Sequence, residues 1–315
     1  MSEKIPVGRS CFDIAAPFVY PVSGPFEVNR CGNGRARKTG LLVKVFYSPH
    51  QSVASNVSFS PSAGKPERLL AQWRERYPVQ VVEPQPVSEG DFCLAHDPAF
   101  VRGVLGSHIC NGFGNTNPEV AASLPWTTGS LVSAARHALE HGGAVCSPTS
   151  GFHHARYGSS HGFCTFNGLM VAAMLIQPRR VAILDCDYHY GDGTDDIIKQ
   201  LKVETVTHYT TGARSCQDAD KFLEELPQIL QKLGGEILIY QAGADAHLWD
   251  PLGGWMTSVQ MRRRDRVVFD FCKSRDLPVV WNLAGGYQED FQSVLDLHHA
   301  TMEECLAVYY PSKEG

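Results

Sequence analysis

The second half of the chain alternates short apolar runs with longer amphipathic stretches, and this alternation is the strongest constraint on its fold. From about residue 180 the apolar runs are RVAILDC, VETVTHY, EILIYQAG and LPVVWNLAGG, and the stretches between them include TDDIIKQL and ADKFLEELPQILQKLGG. Upstream, LLVKVFYS reads as another strand, and KPERLLAQWRERY and TGSLVSAARHALEHGG read as helices. Strands that alternate with helices are typical of a parallel sheet wrapped by helices. We therefore predict an α/β fold.

The 315 residues are enough for one large domain or two small ones, and 43% of them are hydrophobic, which is sufficient for a buried core. We find neither an internal repeat nor a linker that divides the chain. Residues 1–40 are rich in Gly, Pro and Arg and lack periodicity. We expect them to form an irregular N-terminal extension, followed by a single domain over residues 41–315.

Composition limits the cellular location and the classes of partner that we expect for this protein. No apolar run is long enough to span a membrane, and the opening MSEKIPVGRSCFDIAAPFVY lacks the pattern of a signal peptide, so we expect a cytoplasmic protein that does not bind membranes. The ten cysteines include no C-x-x-C pair, which indicates reduced thiols. A net charge of -5 argues against nucleic-acid binding, and we interpret the basic cluster MRRRDR at 261–266 as a solvated helix face. The oligomeric state is left open, a homo-oligomer included.

Polar side chains follow several of the predicted strands. Asp185, Asp187 and His189 follow VAIL, Asp245 follows EILIYQAGA, and Tyr287 follows the pair Gly285-Gly286. A further loop, GFHHARYGSSHGFC, contains the adjacent residues His153 and His154. Because ligands of open α/β sheets gather at the carboxyl ends of the strands, we expect these groups to converge.

One imidazole and two carboxylates, from His189, Asp187 and Asp245, suit a catalytic zinc or iron(II) ion with open positions for water and substrate. The spacing favours one metal ion. A binuclear manganese site of the arginase kind requires further carboxylates at about positions 191 and 247, and these positions hold Gly191 and His247.

The motifs GFHHA…GFCTFN, LDCDYHYGDG, QAGADAHLWDPLGG and LAGGY resemble, in order and spacing, those of the histone deacetylase superfamily. This superfamily also includes acetylpolyamine amidohydrolases and acetoin-utilisation proteins, and the resemblance spans roughly residues 41–310. It implies the three-layer arginase/deacetylase fold, with helices on both faces of a central, mostly parallel sheet. It also implies one Zn²⁺ per chain, held by Asp187, His189 and Asp245, and hydrolysis of an N-acyl amine.

The resemblance also assigns roles to individual residues. It implies two histidine–carboxylate dyads and a tyrosine that acts in the transition state: His153 with Asp185, His154 with Asp192, and Tyr287. It implies a structural K⁺ held by Asp185, Asp187, Thr207 and the main chain of His189 and His208. Chemistry supports the dyads independently, because two histidines with different carboxylate partners can have separated pKa values, one serving as base and the other as a cation.

The substrate pocket resembles the family only in part. Phe163, with Gly162 in the motif HGFC, matches one wall of the narrow acyl-lysine tunnel, whereas the loop TTGARSC lacks the phenylalanine of the opposite wall. We expect Trp249 and Leu252 at the pocket rim, and Arg68 resembles an arginine near an internal exit channel. The segment GSHICNGFGNTN has no aspartate to grip a peptide backbone.

We therefore predict a zinc-dependent amidohydrolase that deacylates an N-acylated amine. Its substrate is either a small molecule such as an acetylpolyamine, which we slightly favour, or an acyl-lysine side chain. Two alternatives remain at this point: a manganese ureohydrolase on the same fold, and a non-enzymatic protein that binds acyl ligands.

Overall fold

The computed structural model describes residues 42–56 and 58–311. The predicted extension over residues 1–40 lies outside this part of the chain. Within it, seven parallel strands form one sheet in the order β2-β1-β3-β7-β6-β4-β5. The strands are β1 (Val43–Phe46), β2 (Val79–Val82), β3 (Ala144–Cys146), β4 (Val181–Asp185), β5 (Val206–Thr210), β6 (Ile237–Gln241) and β7 (Val279–Asn282).

Nine α-helices connect or flank these strands in the described part of the chain. They are α1 (Lys65–Arg76), α2 (Glu89–Phe92), α3 (Pro98–Leu105), α4 (Pro118–His141), α5 (Gly168–Leu175), α6 (Asp192–Leu201), α7 (Ala219–Leu233), α8 (Ser258–Ser274) and α9 (Phe291–Tyr309). None of the helices in residues 42–56 and 58–311 is long and apolar enough to cross a membrane.

Alternate residues of the central strands point into two separate hydrophobic cores. Ala182 and Leu184 of β4 pack in one core with the buried faces of α1, α7, α8 and α9, while Val181 and Ile183 pack in the other with α3, α4 and α5. Both faces of the sheet are therefore covered, which explains why β4 and β6 are buried along their whole length. The predicted three-layer α/β architecture is confirmed.

Some elements differ from the prediction. The strands β2 and β3 were not predicted; β3 has only three residues and follows Gly142-Gly143 directly. Helix α4 begins at Pro118, well before the predicted TGSLV stretch. Asn117 caps it by accepting a hydrogen bond from the Glu119 amide at 2.8 Å, and Pro125 lies inside the helix.

The order of the strands brings the predicted site residues to one edge. Strands β3, β7, β6 and β4 are consecutive neighbours in the sheet. The loop that follows β3 contains His153, and the loops that follow β7, β6 and β4 contain Tyr287, Asp245 and Asp187 respectively. Segments far apart in sequence thus meet at the carboxyl ends of four adjacent parallel strands.

Candidate active site

Asp187, His189 and Asp245 form a compact cluster in which one ligand atom of each residue lies within 4.8 Å of the others. The Nδ1 atom of His189 is 3.2 Å from Asp187 Oδ1 and 3.0 Å from Asp245 Oδ2. Both carboxylates are buried, and the His189 side chain is partly exposed. The cluster is therefore closed on the protein side and open toward solvent, as a catalytic metal site requires.

The charges of this cluster favour a bound cation. Burial, together with the negative charge of Asp187, raises the pKa of Asp245 to about 8. Hydrogen bonds to Asp187 and Asp245 raise the pKa of His189 to about 10. Two buried carboxylates this close cannot both stay ionised unless a positive charge lies near them. A divalent ion can supply that charge, and two carboxylates with one imidazole are ligands suited to zinc or iron(II).

Main-chain amides orient both carboxylates. The amide of Gly285 donates to Asp187 Oδ2 at 2.8 Å, and the amide of Tyr188 donates to Asp245 Oδ1 at 3.1 Å. Position 285 tolerates only glycine, because a Cβ atom there would lie 2.3 Å from Asp245 Oδ2. Hydrogen bonds of this kind, made to the ligand side chains by groups behind them, fix the orientation of metal ligands.

His153 and His154 each hold a different carboxylate. His153 Nδ1 lies 2.7 Å from Asp185 Oδ2, and His154 Nδ1 lies 2.6 Å from Asp192 Oδ1. The structure thus brings together both predicted dyads, and Arg156, which the sequence did not single out, also donates to Asp192 at 2.6 Å. In each dyad Nδ1 faces the carboxylate, which leaves Nε2 for other chemistry.

The two histidines differ in protonation. Burial would lower the pKa of His153, but the charges of Asp185 and Asp187 outweigh it and raise that pKa to about 9. Burial and the neighbouring charge of His153 lower the pKa of His154 below its usual value. At neutral pH the site therefore offers one cationic and one neutral imidazole side by side.

Tyr287 lies beside this group. Its ring centroid is 6.4 Å from that of His189, and its amide donates to Asp250 Oδ2 at 2.7 Å. Burial and the charges of Asp187 and Asp245 raise the pKa of Tyr287 well above its usual value. The hydroxyl group therefore keeps its proton and can act as a hydrogen-bond donor.

Aromatic rings cluster around Tyr287. Phe163 lies 5.7 Å from Tyr287 between ring centroids, and Phe113 lies 6.3 Å from Phe163. The sequence prediction left the wall opposite Phe163 without an aromatic residue. The structure places Phe59 beside both rings, with its centroid 6.4 Å from that of Phe163 and 6.2 Å from that of Tyr287, on the segment between β1 and α1. Its ring is nearly parallel to both.

The remaining pocket residues fall in two groups. Gly162 has a positive φ of 53° and packs against His154, where a Cβ atom would lie 2.5 Å from the ring. Trp249 and Leu252 belong to the loop between β6 and α8, and both are exposed, Trp249 by 79%. The same loop contains Asp250, whose contact with the Tyr287 amide ties it to the site.

Three sequence expectations need correction. The guanidinium group of Arg68 lies 4.3 Å above the ring of Phe291 on the helix surface. Lys65 on the same helix is buried near the site and donates to the carbonyl of Ala284 at 2.8 Å. The Thr207 side chain lies away from Asp185, because its hydroxyl group donates to the carbonyl of Leu233 at 2.7 Å. The cluster at 261–266 is not wholly solvated.

Arg264, in the middle of that cluster, is buried. Its Nη1 atom donates to the carbonyl of Gly243 at 3.0 Å and to that of Cys186 at 3.3 Å, so it supports the loops that carry Asp245 and Asp187. Asp265 accepts a hydrogen bond from Arg264 Nε at 2.9 Å. The helical spacing of buried Met261, Arg264, Asp265 and Val268 could have revealed this inward face.

Comparisons with known proteins bear on the family and the fold of the chain. The family model described as histone deacetylase domain matches residues 62–214 and 207–302. An uncharacterised protein of Picosynechococcus is 29% identical over 74% of this chain and 87% of its own length. Histone deacetylase 2 of Arabidopsis thaliana is 25% identical over 68% of this chain and 65% of its own length.

The crystal structure of an acetylpolyamine aminohydrolase from Burkholderia pseudomallei superposes with a TM-score of 0.66. The alignment covers 84% of this chain and 99% of that one, at 18% sequence identity. At this identity the likeness establishes the fold alone.

Proposed function

Because the chain belongs to the histone deacetylase family, we propose that it is a zinc-dependent amidohydrolase that removes an acetyl or other acyl group from an N-acylated amine. The observation that carries the proposal is the open cluster of Asp187, His189 and Asp245 beside a neutral and a cationic histidine. Amide hydrolysis requires these parts together: a polarised carbonyl, an activated water and a proton for the leaving nitrogen.

A bound zinc ion would polarise the acyl carbonyl and lower the pKa of a water molecule toward about 7. The chain's own groups move the protons. His154 Nε2 takes a proton from the attacking water and returns it to the leaving nitrogen, while Asp192 holds the ring by Nδ1. His153 remains a cation and stabilises developing negative charge, and Tyr287 donates its hydroxyl hydrogen to the oxyanion.

The manganese ureohydrolase alternative lacks support. A second metal ion requires additional carboxylates, whereas His247 Nε2 is engaged with Ser258 Oγ at 2.9 Å and position 191 is glycine. In residues 42–56 and 58–311, the cluster of Asp187, His189 and Asp245 is the only group of three such ligands. A purely acyl-binding protein would not need the two dyads and Tyr287 in addition to this cluster.

We take the rings of Phe59, Phe163 and Tyr287 as the substrate entrance, and this aromatic cluster suits a slender acyl-amine chain. A methylene chain between two ring faces needs two van der Waals contacts, about 7 to 8 Å in total. Phe59 lies beside Phe163, with 6.4 Å between the ring centroids, and is 63% exposed, so its ring can move to admit such a chain with little loss of packing.

The segment GSHICNGFGNTN, which packs against Phe163, also affects which class of substrate can bind. Gly112 accepts a hydrogen bond from the Phe163 amide at 3.0 Å, and Phe113 packs nearby. The segment GSHICNGFGNTN thus contributes an aromatic ring and no carboxylate to bind a peptide backbone. We therefore favour small N-acylated amines, with an acyl-lysine side chain as the second substrate class.

An activity panel tests the proposal. The zinc-loaded protein is assayed for amine release from acetylpolyamines, acetyl-lysine peptides and longer-acyl peptides, with an Asp187→Ala plus Asp245→Ala variant as control. We expect hydrolysis of at least one class by the wild-type protein and none by the variant. Equal rates in both proteins, or no hydrolysis of any acyl amine by the zinc-loaded protein, would contradict the proposal.

A further inference from the structure

His208 lies close to Asp185, the carboxylate that also contacts His153, in the region where the family resemblance predicts a potassium ion. It occupies the middle of β5 and pairs with Ile183, while Thr210 pairs with Asp185. Paired residues of neighbouring strands point to the same face of the sheet, and so do residues two apart on one strand. The imidazole of His208, which pairs with Ile183, therefore lies on the same face as Asp185. Its side chain is only 2% exposed.

Carboxylates face both nitrogens of this ring. Nδ1 lies 2.7 Å from Asp195 Oδ1 on α6, and Nε2 lies 3.9 Å from Asp185 Oδ2. At 3.9 Å this contact is too long for a hydrogen bond, and within the described residues Nε2 has no hydrogen-bond partner. The ring thus lies between two carboxylates, with Asp195 on one side and Asp185 on the other.

The space beside Asp185 is filled. A Cβ atom at position 191 would lie 2.7 Å from Asp185 Oδ2, 3.0 Å from His208 Cε1 and 3.1 Å from His208 Nε2. Even a methyl group therefore has no room between the carboxylate, the imidazole and the backbone at Gly191. The imidazole and the backbone at Gly191 thus occupy this side of the Asp185 carboxylate.

Two of the ligands predicted for potassium, Asp185 and Thr207, are already engaged with protein groups. Asp185 Oδ1 accepts from the amide of Asp187 at 3.1 Å and from Gln241 Nε2 at 3.0 Å, and Oδ2 accepts from His153. A carboxylate has about four lone-pair positions. Protein donors take three of them and His208 faces the remaining side. The hydroxyl group of Thr207 donates to Leu233 and lies elsewhere.

We propose that the His208 side chain takes the place of the predicted potassium ion, so that a positioning residue of the chain, and not a bound monovalent cation, supports Asp185 and, through it, His153. The effect on catalysis rests on the proposed amidohydrolase function. The effect on folding does not, since a buried carboxylate needs compensation whether or not substrate is turned over.

The first test compares monovalent salts. The melting temperature Tm and the deacylase rate of the zinc-loaded wild-type protein are measured in potassium, sodium and tetramethylammonium chloride at equal ionic strength. We expect the same Tm and the same kcat in all three. A Tm or a kcat that rises specifically with potassium would overturn the proposal. If no acyl amine is hydrolysed, the Tm series still decides it, and only the proposed function fails.

The second test replaces the imidazole with a smaller hydroxyl group. His208→Ser removes one member of a buried charged group, so Tm should fall by roughly 5 to 15 °C. We expect kcat to fall with KM unchanged, because His208 does not line the substrate entrance. The control is His141→Ser at an exposed position at the end of α4, which should behave as wild type.

Since serine leaves space beside Asp185, potassium should restore part of the lost Tm in His208→Ser, and tetramethylammonium should restore none. An equal loss in every salt would make His208 a packing residue and refute the replacement of an ion. Wild-type Tm and kcat in the variant would refute it as well. If the variant does not fold, the wild-type salt series remains the deciding measurement.

Discussion

His153 and His154 are consecutive residues whose ring centroids lie 4.1 Å apart, yet they bind carboxylates on different segments, Asp185 at the end of β4 and Asp192 at the start of α6. This separation divides the proton chemistry between them. His154→Ala should lower kcat by about 10²- to 10⁴-fold, the value of a positioned acid or base. Steady-state kinetics measure it, with metal content verified and His141→Ala as control.

The same division predicts the pH profile. Because the pKa of His154 lies below its usual value of 6.5, the neutral base persists at neutral pH, and kcat/KM should fall only as the pH drops below 6.5. A His154→Ala protein with wild-type kcat would remove this residue from the mechanism.

Tyr287 should act in the transition state more than in substrate binding. Tyr287→Phe keeps the ring contacts with Phe59 and Phe163 but removes the hydroxyl donor. We expect kcat to fall by about 10²- to 10³-fold, as when one oxyanion donor is lost, with little change in KM or Tm. The assignment fails if the variant keeps near-normal kcat, or if it loses its metal together with its activity.

Lys65 holds the turn that precedes Tyr287. Its Nζ atom donates to the carbonyl of Ala284, a residue with a positive φ of 52°, and the next amide, that of Gly285, orients Asp187. Lys65→Met should therefore lower kcat by about 10- to 100-fold, the usual cost of losing a contact behind a metal ligand. The matched control is Arg68→Met, one turn along α1 and exposed, for which kcat should stay within about twofold of wild type.

For Phe59 the expected effect is on binding. Phe59→Ala removes one wall of the entrance and should raise KM about tenfold, or about 1.4 kcal/mol, with kcat nearly unchanged. Phe59→Tyr should retain the wild-type KM. Val259→Ala on α8, at a position that is 76% exposed, serves as the control. A wild-type KM for Phe59→Ala, with acyl-amine substrates of any length, would show that Phe59 does not contact substrate.

The sequence was sufficient to predict a parallel sheet, though not strands β2 and β3, and the proximity of Asp187, His189 and Asp245, because Asp187 and Asp245 follow strongly apolar strands. Strand β3, with three residues, is too short for periodicity to reveal. Lys65 and Arg68 are three residues apart on one helix, and only the packing of α1 decides which of them is buried.

Other features depend on contacts between distant segments. Phe59 lies more than 100 residues before Phe163 and meets it only through the fold. His208 was expected to contribute its main chain, because the resemblance assigns a role to the position and not to the imidazole. The contact of that ring with Asp195 requires α6 to pack beside β5, which sequence spacing does not show.

Metal analysis of the purified protein tests the central claim most directly. After removal of metal by a chelator and reloading with zinc, we expect one tightly bound zinc ion per chain together with deacylase activity, and neither in the Asp187→Ala plus Asp245→Ala variant, whose folding is checked by circular dichroism. Two catalytic metal ions per chain, or full occupancy in the folded double variant, would contradict the account.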